Sequence, residues 1–300
     1  MSAGWIAREV FEKLLAAGTT AFRLWTGAGA WVERFGDSAM VSASSEAGLN
    51  ELAGETQEFA AGIGWNCRRV FGRLLVRTPG AEDRAALIAG EAGESAREVV
   101  LECRLRYEVD FVASYSVGLF CDQRENRMFL KGLGVKKLLN TFSYTCAFSV
   151  VAAVGGAKTT SVDVSKSALE RGRANFEWNG IATEGHRFVV EDVGAYLQRL
   201  VRRGEMFDAI VLDPPTFGRG GGKRTFQITK DFPELVRTAG VLAAPGAAIL
   251  LSSNYLAWTD YDLEEAARDE LPPRTKFVRA PRPVDFEPGT GAASVWAIVP

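Results

Sequence analysis

Between residues 136 and 270, short apolar runs alternate five times with amphipathic segments, and this rhythm leaves few folds open. Strands are expected at 136–142, Lys158–Asp163, Arg187–Val190, Phe207–Leu212 and 247–251. Helices are expected at 145–154, from the N-cap Ser165 to 179, from Asp192 to about 203, at 232–242 and at 260–270. Gly180 follows the second of these helices, and Pro272-Pro273 blocks continuation of the last. The run Phe207–Leu212 is apolar throughout, as a strand buried on both faces should be. Alternation of this kind predicts a parallel sheet with helices on both faces. Residues 276–279 and 294–299 are expected to close it as an antiparallel ribbon, which makes seven strands, mostly parallel.

The first 115 residues read differently. Trp5, Ile6, Val10, Phe11, Leu14 and Leu15 fall near helical spacing. A hairpin is expected over 30–42 around Gly36-Asp37, a helix over Glu46–Ile63, and strands over 70–77 and 99–112. Residues 1–115 are therefore expected to form a small α+β domain, with a second domain over 116–300.

Ligands of doubly wound sheets bind outside the carboxyl ends of the strands, so the residues that follow each strand carry the chemistry. After the first strand comes Asn140-Thr141-Phe142-Ser143-Tyr144-Thr145, whose small and polar members would let a ligand approach the backbone. The loop lacks G-x-G-x-x-G, which counts against a dinucleotide phosphate cradle and hence against an oxidoreductase. That absence fits a ligand without pyrophosphate, such as S-adenosyl-L-methionine. Asp163 ends the second strand, where a carboxylate can accept from both ribose hydroxyls. Asp192 ends the third, where it can accept from an adenine amine while the Val193 amide faces the ring, or can merely cap the next helix. The strongest signal is Asp213-Pro214-Pro215-Thr216-Phe217 after the fourth strand. Two prolines cannot continue a ladder and stiffen the turn. A carboxylate and an aromatic ring on that turn would hold a planar nitrogenous ring. The following Gly218-Arg219-Gly220-Gly221-Gly222-Lys223-Arg224 combines glycines with cations suited to phosphate, and reads as a substrate-gripping loop or a solvated one.

These motifs, with Gly118-Leu119-Phe120-Cys121-Asp122-Gln123-Arg124-Glu125-Asn126-Arg127 upstream, resemble the bacterial 23S ribosomal-RNA methyltransferases over residues 115 to 300. Val32-Glu33-Arg34-Phe35-Gly36-Asp37 is more faintly similar to their small α+β domain. The resemblance implies a Rossmann-like class I methyltransferase fold and S-adenosyl-L-methionine as methyl donor. It implies that the segment with Phe120, Asp122, Gln123 and Arg124 closes over the cofactor, and that Asn140, Phe142, Ser143, Tyr144 and Thr145 run beside its methionine moiety. Asp163 would hold the ribose, with Val164 and Ser165 beside it in the cofactor site, and Asp192 with Val193 would face adenine. Asp213, Pro214, Pro215 and Phe217 would form the catalytic turn, and Arg219, Lys223, Arg224, Ser253 and Asn254 would contact substrate.

The sequence departs from the family in three ways. Cys146-Ala147 stands where two glycines are usual, and no N-terminal RNA-binding module is read ahead of the small domain. The cytosine-C5 branch carries a nucleophilic cysteine on the loop after the fifth strand, where this chain has Leu251-Ser252-Ser253-Asn254-Tyr255. C5 methylation requires covalent attack on the neighbouring carbon, whereas a ring nitrogen brings its own lone pair and requires only positioning. Thr216 and Ser253-Asn254 look more like the guanine-N7 branch, so ring-nitrogen methylation is favoured.

Charge bears on the substrate. With 35 basic against 37 acidic residues the net charge is −2, so RNA contact must be local. That balance keeps open methylation of a small heterocycle or a protein side chain, or a non-catalytic binding role. Cysteines at 67, 103, 121 and 146 with His186 as the lone histidine predict no metal site and reduced thiols in a cytoplasmic protein. No apolar run approaches the roughly 18 residues of a membrane span, and no signal pattern is read at the start.

Overall fold

The computed structural model describes residues 4–75, 84–93, 95–219 and 225–300, and for 217–219 and 225–226 the backbone alone. The chain divides into two compact units, one of Met1–Cys121 with Pro283–Thr290 and one of Asp122–Arg282 with Gly291–Pro300.

The first unit opens with helix α1 (Arg8–Ala16), then strands β1 (Ala21–Gly27), β2 (Ala30–Phe35) and β3 (Ser38–Ala43), helix α2 (Glu46–Ile63), and strands β4 (Arg69–Leu74) and β5 (Ala86–Gly90). These strands form one sheet in the order β1-β2-β3-β4-β5. The β2–β3 turn falls at Gly36, which has φ 65°, and Ser45 caps α2 by accepting from the Gly48 amide. Strands β6 (Arg97–Glu102) and β7 (Leu105–Asp110) pair as a separate hairpin. A single strand was expected over 99–112. The chain instead reverses at Cys103-Arg104, both left-handed with φ 49° and 67°, a turn geometry that glycine and asparagine usually signal. The returning segment anchors in this unit, where Asp285 accepts from the Arg23 amide at 2.9 Å and Phe286 lies under the Arg23 guanidinium.

The second unit runs α3 (Arg124–Leu133), β8 (Lys137–Thr141), α4 (Ala147–Val154), β9 (Lys158–Asp163), α5 (Lys166–Trp178), β10 (Arg187–Val190), α6 (Val193–Arg202) and β11 (Phe207–Leu212). A short hairpin of β12 (Phe217–Arg219) and β13 (Thr225–Gln227) follows, then α7 (Ile228–Leu242), β14 (Ala243–Ser253), α8 (Asp260–Arg268), β15 (Lys276–Val278) and β16 (Ala293–Ile298). The main sheet has seven strands in the order β10-β9-β8-β11-β14-β16-β15. β16 alone runs antiparallel to its neighbours β14 and β15. This is the expected Rossmann-like sheet. Its order reverses direction between β8 and β11, and the crevice beyond their carboxyl ends is where such sheets hold ligands.

The central strands are apolar because helices cover both faces. Ile210, Leu212, Ile249 and Leu251 pack with Phe232, Val236 and Leu263 on one side. Ala209, Val211 and Leu250 pack with Leu130, Phe148 and Trp296 on the other. Two boundaries differ from expectation. Helix α7 starts at Ile228 and carries Pro233 inside it, because Asp231 accepts the Gln227 amide at 2.8 Å and closes the first turn upstream of the proline. Strand β14 runs on through Ser252 and Ser253, which stay in the sheet opposite Ser294 and Ala293.

Candidate active site

Three of the strand-end loops are shaped by side chains that the sequence singles out. The loop after β8 alternates into left-handed backbone at Phe142, Tyr144 and Cys146, with φ 50°, 46° and 62°. Several bonds hold this unusual path. The Ser143 amide donates to the Val162 carbonyl at 3.0 Å, Asp163 Oδ2 accepts the Tyr144 amide at 2.9 Å, and Asn175 Nδ2 donates to the Thr145 carbonyl at 2.9 Å. Asp163 Oδ1 also accepts the Ser165 amide at 2.8 Å. The carboxylate thus ties the first loop to the second strand, and its two oxygens each retain a lone pair for a ligand.

Ser165 caps α5 as expected, accepting from Ala168. Asp192 caps α6, with Oδ1 accepting the Ala195 amide at 3.0 Å. Beside these carboxylates stand two exposed apolar side chains, Val164 and Val190 at 51% and 53%. Val190 ends β10 and pairs with Asp163, the last residue of β9, and Val164 follows directly after it. Such surface is costly to leave in water and suits the faces of a purine. Val190 escapes sequence reasoning because it continues an apolar run like any buried strand residue. The Val193 side chain is buried, and its amide belongs to the first turn of α6, which the helix itself does not pair.

Several other members of the expected set turn inward. Asn140 is buried, with Nδ2 on Ser149 Oγ at 3.0 Å, in a core network continuing to Ser161. Arg124 is buried too. Gln123 is buried with both ends of its amide engaged, on Asn126 and Ser252. Asp122 accepts the Ala292 amide at 2.8 Å. Phe120 is 45% exposed and belongs to the first unit. Ser253, expected to meet substrate, is instead buried with its hydroxyl accepting from the Tyr255 amide at 3.0 Å. The strand carries two residues further than its apolar run suggests, and this keeps Ser253 in the sheet.

At the centre of the crevice Asp213 follows β11, with Pro214 buried and Pro215 exposed. Its carboxyl is pushed up to about 6, chiefly by burial and further by Asp122, while a hydrogen bond from Ser252 and the charge of Arg127 act against the rise. It nonetheless keeps part of its surface open. Next to it Thr216 Oγ1 donates to Asn254 Oδ1 at 2.6 Å, joining the loops after β11 and β14 and leaving the Asn254 amino group as a donor. Arg219 lies on β12, Phe217 opens that strand, and only their backbones are described. Lys223 and Arg224 lie outside the described residues.

Burial makes two of the thiols poor nucleophiles. Cys146 is buried beside the loop, and desolvation pushes it up to about 12. Cys67 is raised to about 11, also by burial. Cys121 is buried. Among the described residues no group of three or more His, Cys, Asp or Glu side chains could hold a metal ion, and no helix is long and apolar enough to cross a membrane.

Comparison with known proteins identifies the family and the fold. Residues 56–299 match the model of the S-adenosylmethionine-dependent methyltransferase family. Ribosomal RNA large subunit methyltransferase I of Aeromonas salmonicida is 35% identical over 176 residues, covering 58% of this chain and 44% of that protein. Ribosomal RNA large subunit methyltransferase K of Neisseria meningitidis is 36% identical over 177 residues, covering 58% of this chain and 49% of that one. The chain therefore matches less than half the length of either relative. A methyltransferase crystallised with S-adenosylhomocysteine superposes with a TM-score of 0.81 at 27% identity, over 97% of this chain and 78% of that one.

Proposed function

This chain belongs to the S-adenosylmethionine-dependent methyltransferase family, and on that footing we propose that it methylates a base of ribosomal RNA, at a ring nitrogen. S-adenosylmethionine fits the residues present. Asp163 has lone pairs left for the ribose hydroxyls, Val164 and Val190 offer apolar walls for adenine, and Asp192 with the Val193 amide can meet its polar edge. Bound there, the cofactor supplies an electrophilic methyl group on a sulfonium.

The observation that carries the reading is the Asp213 turn at the switch point of the sheet. A partly enclosed carboxylate with a value near 6 is ionised at neutral pH and accepts an N–H of the target base. The Asn254 amino group can donate to a base acceptor, and the rigid prolines hold the turn. Transfer to nitrogen would require orientation alone, which Asp213 and Asn254 would supply, because a ring nitrogen brings its own lone pair to the methyl group that the bound cofactor would offer. Attack at cytosine C5 would require a thiolate near Thr216 or Asn254, and the residues there carry none. Phe217 is proposed to stack on the base, and Arg219, Lys223 and Arg224 to grip phosphates. Support for RNA as the substrate class comes from the names of the relatives, both ribosomal RNA methyltransferases.

Tritium transfer from labelled S-adenosylmethionine into total RNA from cells lacking the protein tests this. Transfer should occur with the intact chain and fall about a hundredfold or more in Asp213→Ala, with cofactor affinity kept. A rate within about threefold of the unmodified chain would show that the acceptor pocket lies elsewhere.

A further inference from the structure

Behind Asp213 stands a line of buried polar side chains that the proposed reaction does not use directly. The Trp296 indole N–H on β16 donates to Asn126 Oδ1 at 2.9 Å. Asn126 Nδ2 donates to Gln123 Oε1 at 2.9 Å, and also to Ser294 Oγ at 2.9 Å. Gln123 Nε2 donates to Ser252 Oγ at 2.7 Å. Leu251 pairs with Leu212 in the sheet, so Ser252 and Asp213 are the next residues on adjacent parallel strands, and the Ser252 hydroxyl lowers the Asp213 carboxyl toward its ionised form. Trp296, Asn126, Gln123 and Ser252 are all 4% exposed or less, so water does not compete for these bonds.

The direction of this line is not arbitrary. An indole N–H only donates, so Asn126 must turn its carbonyl toward Trp296 and its amino group toward Gln123. Gln123 must then receive with its carbonyl and donate to Ser252. A hydroxyl whose oxygen already accepts from Gln123 has its one proton left for Asp213. Each link therefore fixes the next, and bonds in such a chain polarise one another.

We propose that Trp296 is a positioning residue for Asp213: its indole N–H, through Asn126 and Gln123, commits the Ser252 proton to the Asp213 carboxylate and so keeps that carboxylate ionised. The proposal rests on the reading of Asp213 as the carboxylate that holds the base, but the line of bonds exists whatever the substrate. Without the indole donor, Asn126 and Gln123 are free to reverse. Ser252 then gives its proton to Gln123, and Asp213 loses the bond that favours its charged form. The charged groups acting on Asp213 are Asp122, ahead of α3, which disfavours ionisation, and Arg127 on α3, which favours it. Both remain in the variants below.

The test is a carbon-13 NMR titration of aspartate-labelled protein, with the Asp213 signal identified by its loss in Asp213→Asn. This requires neither RNA nor turnover, so it fails or succeeds apart from the proposed function. In Trp296→Phe, which keeps an aromatic ring in the core and removes the donor, the Asp213 midpoint should rise by about one pH unit. Ser252→Ala should raise it similarly, and the double variant should titrate like Ser252→Ala alone, because both act through one bond. Gln123→Met breaks the line in the middle without touching the core at Trp296, and should shift the midpoint in the same direction even if Trp296→Phe does not fold. A midpoint unchanged in the folded variants, or shifts from Trp296→Phe and Ser252→Ala that simply add, would overturn the proposal.

Discussion

Cys146 and Gly172 share one space: a Cβ built on Gly172 would come within 2.5 Å of Cys146 Sγ. Cys146 sits in left-handed backbone just ahead of α4, a conformation that glycine adopts freely and other residues adopt at a cost of about 1 kcal/mol or more. The first loop accommodates a cysteine because α5 omits a side chain opposite it. Gly172→Ala should therefore displace the loop and weaken S-adenosylmethionine binding several-fold, although alanine is the better helix former. Adding Cys146→Gly should restore most of that affinity. Calorimetry on the single and double variants reads this directly, and no recovery in the double variant would separate the two positions.

Asp163 holds two backbone amides as well as its proposed ribose. Hydrogen bonds to charged groups are worth roughly 1.5–3 kcal/mol, and about 1.4 kcal/mol is a factor of ten. Asp163→Ala should weaken cofactor binding at least about tenfold. Unchanged affinity in a folded variant would remove Asp163 from the cofactor site.

The raised value of Asp213 is also a statement about stability. A carboxyl that moves from 3.8 to about 6 on folding holds its proton more tightly in the folded chain. Its ionised form therefore costs stability, and the cost grows as pH rises through this window. Asp213→Asn should stabilise the chain by about 1–3 kcal/mol at pH 8 and by little below about pH 4. Urea unfolding at the two pH values checks the sign, and a loss of stability at pH 8 would contradict it.

The parts of the fold that were legible in the sequence are those governed by local pattern. Five apolar runs with caps such as Ser165 and Asp192 disclosed the parallel sheet and its strand ends. The Asp213-Pro214-Pro215 turn was legible because two prolines after a buried strand have few other uses. The Cys103-Arg104 reversal was not legible, since neither residue signals a left-handed turn and only the paired strands around it enforce one. The inward turn of Ser253 depends on pairing with a strand forty residues away in the chain, which no local pattern reports. The line from Trp296 to Asp213 joins four elements and had no sequence signal, although Gln123 was named for a different role.

The nitrogen assignment makes the cysteines dispensable for chemistry. RNA containing 5-fluorocytosine should give no denaturation-resistant protein–RNA band. Replacing Cys121 and Cys146 by alanine or serine should leave most activity in variants shown to be folded, though a buried thiol can be worth about 1 kcal/mol of stability. A trapped band abolished by either substitution would restore covalent C5 chemistry.

The most direct test of the central claim is mass spectrometry of nucleosides from ribosomal RNA of cells lacking the protein, before and after incubation with the purified chain and S-adenosylmethionine. One nucleoside should gain a single methyl group on a ring nitrogen. A gain of 5-methylcytidine, or no gain in any RNA nucleoside, would contradict the claim.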